Sequence, residues 1–153
     1  MTLPHPEDES LLPVFRALME CHTVVSRVTG RHIEALGLTP SQFDVLAVLG
    51  DTDGMTCSEL GRRTLISKGT LTPVLDRMEA KGWIVRQRGE QDARQVQVSL
   101  TARGEREFER CFMPHVAFVK SHLDEMPEER QGLLIGLLDE LKSRFQLKPK
   151  NEN

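Results

Sequence analysis

The sequence has little of what marks a secreted, membrane-bound or disulfide-rich protein. Its 153 residues include three Cys, far apart and odd in number, which excludes a disulfide framework and a paired-cysteine zinc site. No apolar run approaches the roughly 20 residues of a membrane helix. The opening stretch MTLPHPEDES is acidic and contains Pro, unlike a signal peptide. We therefore expect a cytoplasmic, globular protein with no membrane partner.

Catalytic motifs are missing as well. The sequence contains no HExxH metal motif, no phosphate-binding Walker loop, no GxSxG elbow and no other arrangement of a nucleophile with a base. A chain of 153 residues is long enough for one ordinary domain with a real core. We therefore predict that the protein is not an enzyme and needs no cofactor.

Charge is distributed unevenly along the chain. The net charge of the whole chain is −3, which by itself argues against a nucleic-acid binder. Between positions 60 and 100, however, eight basic residues stand against four acidic ones, so this segment carries +4 and the rest carries −7. A basic middle within acidic flanks indicates either a face that meets a polyanion or an ordinary solvated surface.

Hydrophobic periodicity predicts a mainly α-helical chain with one small β-hairpin wing. A short helix, a tight turn and a longer helix form a helix-turn-helix, and the basic hairpin after them makes a winged helix. The long terminal helices carry more apolar surface than one small core requires, so we expect them to pair with a second copy. The predicted parts are a flexible arm (1–9), an N-terminal dimerisation helix (10–37), the winged helix-turn-helix DNA-binding domain (38–104), C-terminal dimerisation helices (105–146) and a flexible tail (147–153).

Polar residues mark the predicted helix starts. Thr39 with Gln42, and Thr56 with Glu59, have the spacing of a capping box, in which each side chain bonds to the backbone N–H of the other residue. Ser67 is predicted to cap the helix that follows it. These signals place three consecutive helices in the middle of the chain.

The hydrophobic period changes from 3.6 to 2 after Gly82, which predicts strands over 83–88 and 95–100 around a hairpin tip. Two Pro lie inside predicted helices, where Pro lacks the N–H that the helix needs. We expect a slight distortion at Pro73 and a kink or a local break at Pro114.

The helix after Ser67 has the pattern of a recognition helix. Small and polar residues at the N-terminal end of its outer side would let it enter the major groove. Lys68 and the Thr hydroxyls would then reach base edges, while Arg77, farther back, would reach phosphate. Backbone N–H groups at Thr56 and Ser67 would also donate to phosphates. An ordinary surface helix is the competing interpretation. The outer side consists of Lys68, Gly69, Thr70, Thr72, Pro73 and Arg77.

The predicted hairpin adds basic residues to the same region. Arg86 and Arg88 lie along one strand, and Arg94 lies at or just past the tip. An Arg at a hairpin tip can enter the minor groove, whose negative potential attracts it. Asp92, two residues earlier, is expected to hold that side chain or the turn. The alternative is a surface ion pair of little energetic value.

Three stretches resemble the MarR family of bacterial and archaeal transcription regulators: LTPSQFDVLAVL, SELGRRTLISKGTLTPVLDRMEAKGWIVR and DARQVQVSLTARG. The resemblance follows the whole helical order and is specific between Leu38 and Gly104, above all in the D-x-R wing followed by V-x-L-T. It implies a dimer with a winged helix in each lobe, which binds a pseudo-palindromic operator, usually represses, and is released by a small ligand or an oxidant. It also implies a recognition role for Ser67 beside the outer side described above, and minor-groove insertion for Arg94, steadied by Asp92.

The stretch GTLTPVLDRME resembles the branch of that family that senses organic hydroperoxides through a cysteine. That branch places its reactive Cys near the start of the first helix, close to Tyr hydroxyls. The corresponding place here falls near Phe15, and the chain has no Tyr. Both departures argue against peroxide sensing, so a small buried side chain is the favoured interpretation of Cys21 and a redox role is the alternative. Cys57 and Cys111 are expected to be structural.

One helix carries residue types that bind metals. Cys111, His115 and His122 share one side of the helix after the hairpin, so they form a candidate zinc set. Two packed or interfacial His on an apolar stripe are the favoured interpretation, since no further ligand is evident nearby. We therefore predict no bound metal, although these His are placed to tune dimerisation near their unperturbed pKa of about 6.5.

The resemblance to the MarR family also implies an effector pocket between the dimer helices and the DNA-binding lobe. Ser26, Arg27 and Phe43, on the first two helices, are the candidate lining residues. Arg27 would suit an aromatic carboxylate, and a plain surface Arg is the alternative. The sequence identifies no effector.

Together these features predict a sequence-specific DNA-binding transcription regulator. The predicted form is a homodimeric repressor that a small ligand or oxidant releases from a pseudo-palindromic operator. Its partners would be double-stranded DNA, a second copy and an unidentified small-molecule effector. The alternative is a winged-helix module that binds another protein and no DNA, because a fold does not determine a function. The wing Arg argues against that alternative.

Overall fold

The computed structural model describes residues 11–88 and 95–146, and the side chain of Lys68 lies outside that description. This part of the chain forms helices and three short strands, which confirms the predicted mainly helical winged fold. The elements are α1 (Leu12–Ala35), α2 (Pro40–Leu49), β1 (Met55–Thr56), α3 (Cys57–Arg63), α4 (Lys68–Ala80), β2 (Ile84–Arg88), β3 (Val96–Leu100), α5 (Ala102–Leu123) and α6 (Glu128–Gln146).

The chain divides into two compact units, Met1–Val116 and Ala117–Asn153. We call the first the winged-helix body and the second the terminal unit. In the body, α2 packs against α1, α3 and α4, and α4 packs on β2. Burying one large apolar side chain stabilises a fold by roughly 1.5–3 kcal/mol. The fully buried side chains of the body are Val45, Leu46, Leu49, Leu60, Met78, Ile84, Val98 and Cys111.

The strands form one antiparallel sheet in the order β1-β3-β2. The two predicted strands are confirmed, each starting one residue later than expected. Sequence reasoning missed β1, in which Met55 pairs with Val98 and Thr56 with Gln97. A strand of two residues is too short to show a period, so only its pairing with β3 reveals it.

The first predicted capping box is confirmed. The Thr39 hydroxyl accepts from the Gln42 N–H at 3.2 Å, and the Gln42 side chain accepts from the Thr39 N–H at 3.1 Å. The second is half formed: the Thr56 hydroxyl accepts from the Glu59 N–H at 3.1 Å, but the Glu59 carboxylate pairs with Arg63 at 2.6 Å. The nearby cation thus engages the side chain that would have completed the box.

Helices α4 and α5 continue without interruption through Pro73 and Pro114. The local break, one of the two outcomes expected at Pro114, is therefore wrong, and the kink stays a prediction. Cys111 on one side of this Pro and His115 on the other are both buried in the body. Because packing holds the turns before and after the Pro, the loss of one backbone hydrogen bond does not end the helix.

The wing joins α5 through a tight contact. The Thr101 hydroxyl donates to the Gly82 carbonyl at 2.6 Å and accepts from the Gly104 N–H at 3.0 Å, so Thr101 caps α5 as predicted. A Cβ on Gly104 would collide with the backbone carbonyl of Trp83. Glycine is therefore required here, because the first turn of α5 lies directly against the start of the wing.

In the terminal unit, α6 follows Pro127 as the sequence predicted. None of the residues of α6 is buried, although the helix is rich in large apolar side chains. In the described part of the chain, no helix combines the length and the apolarity needed to cross a membrane. The apolar side chains that α6 exposes are Leu133, Leu134, Ile135, Leu137, Leu138 and Phe145.

Candidate nucleic-acid interface

Helix α4 has one buried and one exposed side, as the apolar period predicted. The buried side consists of Leu71, Val74, Leu75 and Met78, each at most 7% exposed. Its outer side begins with a glycine that has open space around it and continues with short polar side chains. The helix therefore presents a narrow, largely polar surface that a groove of DNA can accommodate. The exposed residues of that side are Gly69, Thr70, Thr72, Pro73 and Arg77.

Hydroxyls cluster at the N-terminal end of α4. Ser67 is the N-cap by backbone position, but its side chain caps no backbone N–H. Its hydroxyl instead lies 2.8 Å from that of Thr70, and both residues are exposed. The predicted side-chain cap is thus wrong, and the two hydroxyls form a pair at the end of the helix that is expected to meet the bases.

Arg86 is not a free wing cation. Its Nε donates to the Glu79 carboxylate at 3.0 Å, and its Nη2 donates to Asp76 at 2.7 Å. The backbone N–H of Arg86 also donates to Glu79, at 3.1 Å. These bonds lower the pKa of Glu79 and raise that of Arg86. Arg86 therefore joins β2 to α4, and this guanidinium is already engaged by two carboxylates.

Of the remaining residues predicted to contact phosphate or to form the wing, the structure describes Arg88 and Thr56 but not Asp92 and Arg94. Arg88 is exposed at the end of β2. Thr56 is half-buried, with its oxygen accepting the bond that caps α3. Asp92 and Arg94 lie outside the described residues. The wing-tip prediction therefore stays a prediction.

A cavity of about 450 Å³ opens beside the hydroxyl end of α4. Its volume lies within the range of small-molecule sites in proteins, roughly 300–1,000 Å³. Its walls come from α1, α2, the turn between α3 and α4, and α5. The residues of most interest are Phe43 and Asp44 from α2, Leu65, Ser67 and Thr70 from the turn and the start of α4, and His115 from α5.

Asp44 supplies a carboxylate to this cavity. Its Oδ2 accepts from the backbone N–H of Leu65 at 2.7 Å, which ties α2 to the turn before α4. Burial raises the pKa of Asp44, and the bond from Leu65 acts in the opposite direction. Sequence reasoning did not single out Asp44. The signal available in the sequence was an acidic residue between two apolar ones, Phe43 and Val45. The structure shows that Val45 is fully buried.

Two histidines meet at the cavity wall. The Nδ1 atoms of His32 on α1 and His115 on α5 lie 3.1 Å apart, and the His115 ring packs edge-on against Phe43. Burial lowers the pKa of His115, and the neighbouring His32 lowers it further. At least one of the two rings must be neutral in this arrangement, because one Nδ1 donates and the other accepts.

The structure does not bring together the residues predicted to line an effector pocket, nor those named as weak metal ligands. Of the pocket candidates, Phe43 lines the cavity, whereas Ser26 and Arg27 lie on α1 and are not among its lining residues. Of the weak metal candidates, Cys111 is buried and His122 is exposed. Across residues 11–88 and 95–146, no three metal-binding side chains converge on one point.

The burial of one cysteine, Cys21, differs from expectation. Cys21 is exposed on α1, so the buried role favoured for it is wrong in the isolated chain. Burial raises the thiol pKa of Cys57 and of Cys111. These two thiols are therefore kept protonated and less reactive, as expected of structural cysteines.

Known proteins match both the sequence and the fold. A family model described as "MarR family" matches residues 36–95. The regulator SarZ of Staphylococcus epidermidis is 40% identical over 73 residues, which are 48% of this chain and 49% of SarZ. The chain thus spans about half the length of that relative. An HTH-type transcriptional regulator of Bacillus cereus is 32% identical over 114 residues, covering 74% of this chain and 76% of the relative.

A solved structure extends the match to most of the chain. A mutant of MarR from E. coli, crystallised with operator DNA, is 26% identical with a TM-score of 0.75. The similarity covers 86% of this chain and 94% of that one. This neighbour shares the fold that the sequence predicted. With this fold and these relatives, the chain belongs to the MarR family of transcriptional regulators.

Proposed function

We propose that this regulator is a homodimeric, sequence-specific DNA-binding repressor that acts in the cytoplasm and is released from a pseudo-palindromic operator by a small ligand or an oxidant. The observation that carries the proposal is the two-sided helix α4. Its inner side is packed into the core, and its outer side offers short polar groups. The similarity to the E. coli MarR structure solved with operator DNA supports the same use of this helix.

The proposed contacts follow from the exposed groups. Thr56 and Arg77 contact phosphates, which fix the register without reading sequence. At the wing, Arg88 and Arg94 approach the minor groove and Asp92 steadies the tip, whereas we assign Arg86 to holding the wing on α4. The base-reading set is Ser67, Lys68, Gly69, Thr70, Thr72 and Pro73.

The dimer is proposed from apolar surface that the single chain leaves exposed. The terminal unit exposes the large side chains of α6, and α1 exposes Phe15, Met19 and Val25. Isolated soluble proteins rarely expose contiguous apolar patches of this kind. A two-fold dimer would cover them and would present two α4 helices to one duplex.

The test is selection of bound duplexes from a random pool by the purified full chain, near physiological salt, with and without reductant. We expect an inverted repeat with half-site centres about one helical turn apart. Affinity for it should fall steeply as salt rises, because phosphate contacts release counterions. If no duplex is enriched and none binds at low salt, the function fails and a protein-binding module replaces it.

Two single changes test the residue roles on the selected operator. Arg94→Ala should weaken binding without lowering the melting temperature, and unchanged operator affinity would contradict the wing role. Arg77→Ala should weaken binding to all sequences alike, whereas Lys68→Ala or Thr72→Val should alter sequence preference. Arg144→Ala, in the terminal unit, is the matched control and should change neither property.

A further inference from the structure

The cavity beside α4 and the DNA-reading end of α4 share two residues. Ser67 and Thr70 line the cavity, and their paired hydroxyls also stand at the exposed N-terminal end of the helix. The turn that precedes them is fastened to α2 by the bond from the Leu65 N–H to Asp44. A molecule that fills the cavity can therefore contact the groups that are proposed to meet DNA.

The charge of the cavity determines which occupant it suits. Among the lining side chains that the structure describes, Asp44 is the only acid, and none is a Lys or an Arg. His115 lines the cavity too, but its pKa is lowered, so the ring is neutral at pH 7. The other lining groups are apolar side chains and hydroxyls. Such a site repels a carboxylate and attracts a cation.

We infer that the cavity binds a small organic ammonium ion with an apolar body, held by Asp44, and that its occupation changes DNA binding through Ser67 and Thr70. The second half of this inference rests on the function proposed above. The ligand class differs from the aromatic carboxylate that Arg27 would have suited, because Arg27 is not among the lining residues.

The contacts available to such a ligand are specific. The Leu65 N–H occupies Oδ2 of Asp44, and within the described residues Oδ1 accepts no hydrogen bond and is left for an ammonium N–H. An aromatic body can lie against the Phe43 ring, which lines the same cavity. The Ser67 and Thr70 hydroxyls lie 2.8 Å apart and bond to each other. A polar ligand group that bonds to either hydroxyl would replace that bond. That exchange would change the hydroxyls that α4 offers to DNA.

Calorimetric titration of the full chain with charge-matched ligands tests the ligand class. The probes are 2-phenylethylamine, 3-phenylpropionate and 2-phenylethanol, with their naphthyl counterparts as a larger set. In at least one size we expect the amine to bind at least about tenfold more tightly than its anionic and neutral counterparts. Equal affinities, a preference for the carboxylate, or no binding in either size would overturn the inference.

Asp44→Asn locates the preference. The Asn side-chain oxygen can still accept from the Leu65 N–H, so the turn keeps its bond while the charge is lost. The advantage of the amine should disappear in Asp44→Asn and persist in Asp53→Asn, a matched change at an exposed turn residue. An advantage that survives Asp44→Asn would overturn the site.

A pH series on the unaltered chain provides a measurement that needs no variant. The titratable groups in the described lining are Asp44 and His115, and His32 contacts His115 from α1. Acidification adds positive charge to His115 and protonates the Asp44 carboxyl, so amine affinity should fall as pH falls from 7 to 4. An amine affinity that is constant or rises on acidification would contradict the role of Asp44.

Fluorescence anisotropy with the selected operator separates this inference from the proposed function. The amine should weaken operator binding by the unaltered chain by at least about tenfold. It should leave operator binding by the Asp44→Asn variant unchanged. If the amine binds but operator affinity is unaffected, the coupling is wrong. If no duplex binds at all, the proposed function fails, while calorimetry still decides the ligand class.

Discussion

The winged-helix body and the terminal unit both contain apolar helical stripes and use them in opposite ways. In the body, Leu46, Leu49 and Leu60 are 0% exposed and lie among helices and a sheet that enclose them. In the terminal unit, Leu133 is 63% exposed and Leu137 is 55% exposed, and α6 has no buried residue. An apolar stripe is therefore not evidence of a core within the same chain.

The difference shows what hydrophobic burial requires. Several elements with facing apolar sides close a core, and the contacts of α2 with α1, α3 and α4 supply them in the body. In the described part of the terminal unit, α6 buries none of its residues against another element. Its apolar side is stabilised only if another surface covers it, which is the physical basis for the proposed dimer.

The largest expected effect lies in the core of the body. Leu46→Ala removes a fully buried side chain and leaves a cavity, so it should lower the free energy of unfolding by about 3 kcal/mol. Leu137→Ala, the matched change on α6, should affect unfolding much less in the monomer. Urea denaturation at low protein concentration measures both. Equal losses would break the contrast between the two regions.

The next effect concerns the exposed stripe of α6. Leu134 and Leu138 lie one turn apart, and Leu134→Glu with Leu138→Glu puts two charges into the proposed interface. We expect the dimer dissociation constant to rise by at least about 100-fold, measured by sedimentation velocity. Ser143→Glu adds charge to another side of the same helix and should leave the dimer intact. An unaffected dimer in the double variant would assign the interface elsewhere.

A smaller effect separates ion pairs in the two regions. Arg86 is tied to Glu79 and Asp76, with its side chain only 25% exposed, whereas the Arg144 side chain is 71% exposed beside Glu140. Arg86→Gln should cost about 1 kcal/mol of stability, because the bonds are partly shielded from water. Arg144→Gln should cost nothing measurable. Thermal melts of both variants provide the comparison, and equal shifts would contradict it.

The smallest effect is a pH dependence within the body. The pKa of His115 is lowered on folding, so the unfolded chain binds more protons than the folded one as pH falls through about 6.5. The contribution of His115 to the free energy of unfolding is therefore fully present above that pH and declines as pH falls from 7 to 5. His115→Gln keeps a polar partner for His32 and should flatten this decline in chemical denaturation. An identical decline in both proteins would assign it to other groups.

Local sequence signals predicted much of the architecture. The Thr39–Gln42 box and the Thr101 cap are where their spacing placed them, and α4 presents the two sides that its period predicted. Each of these features depends on residues a few positions apart. The resemblance to the MarR family also rested on short contiguous stretches, and the matching relatives confirm it.

The errors have two causes: competing local bonds and contacts between distant elements. The Ser67 hydroxyl could cap its helix or pair with Thr70, and both options are local, so the sequence alone did not choose between them. The sequence predicted that Arg86 is a wing cation that contacts DNA. In the structure, two carboxylates of α4 lie beside Arg86 and bond to it. A kink or a local break was expected at Pro114, and the break did not occur because packing on both sides, which a periodicity does not show, holds the helix.

The sequence by itself determined the order of the helices and of the two longer strands, the side of each helix that is apolar, and the family. Only the tertiary structure decided which distant groups meet, as Asp44 does with Leu65 and His32 with His115. The physical reason is that a periodic pattern reports one side of one element. The cavity, its charge and the position of the wing depend on how several such sides are packed together.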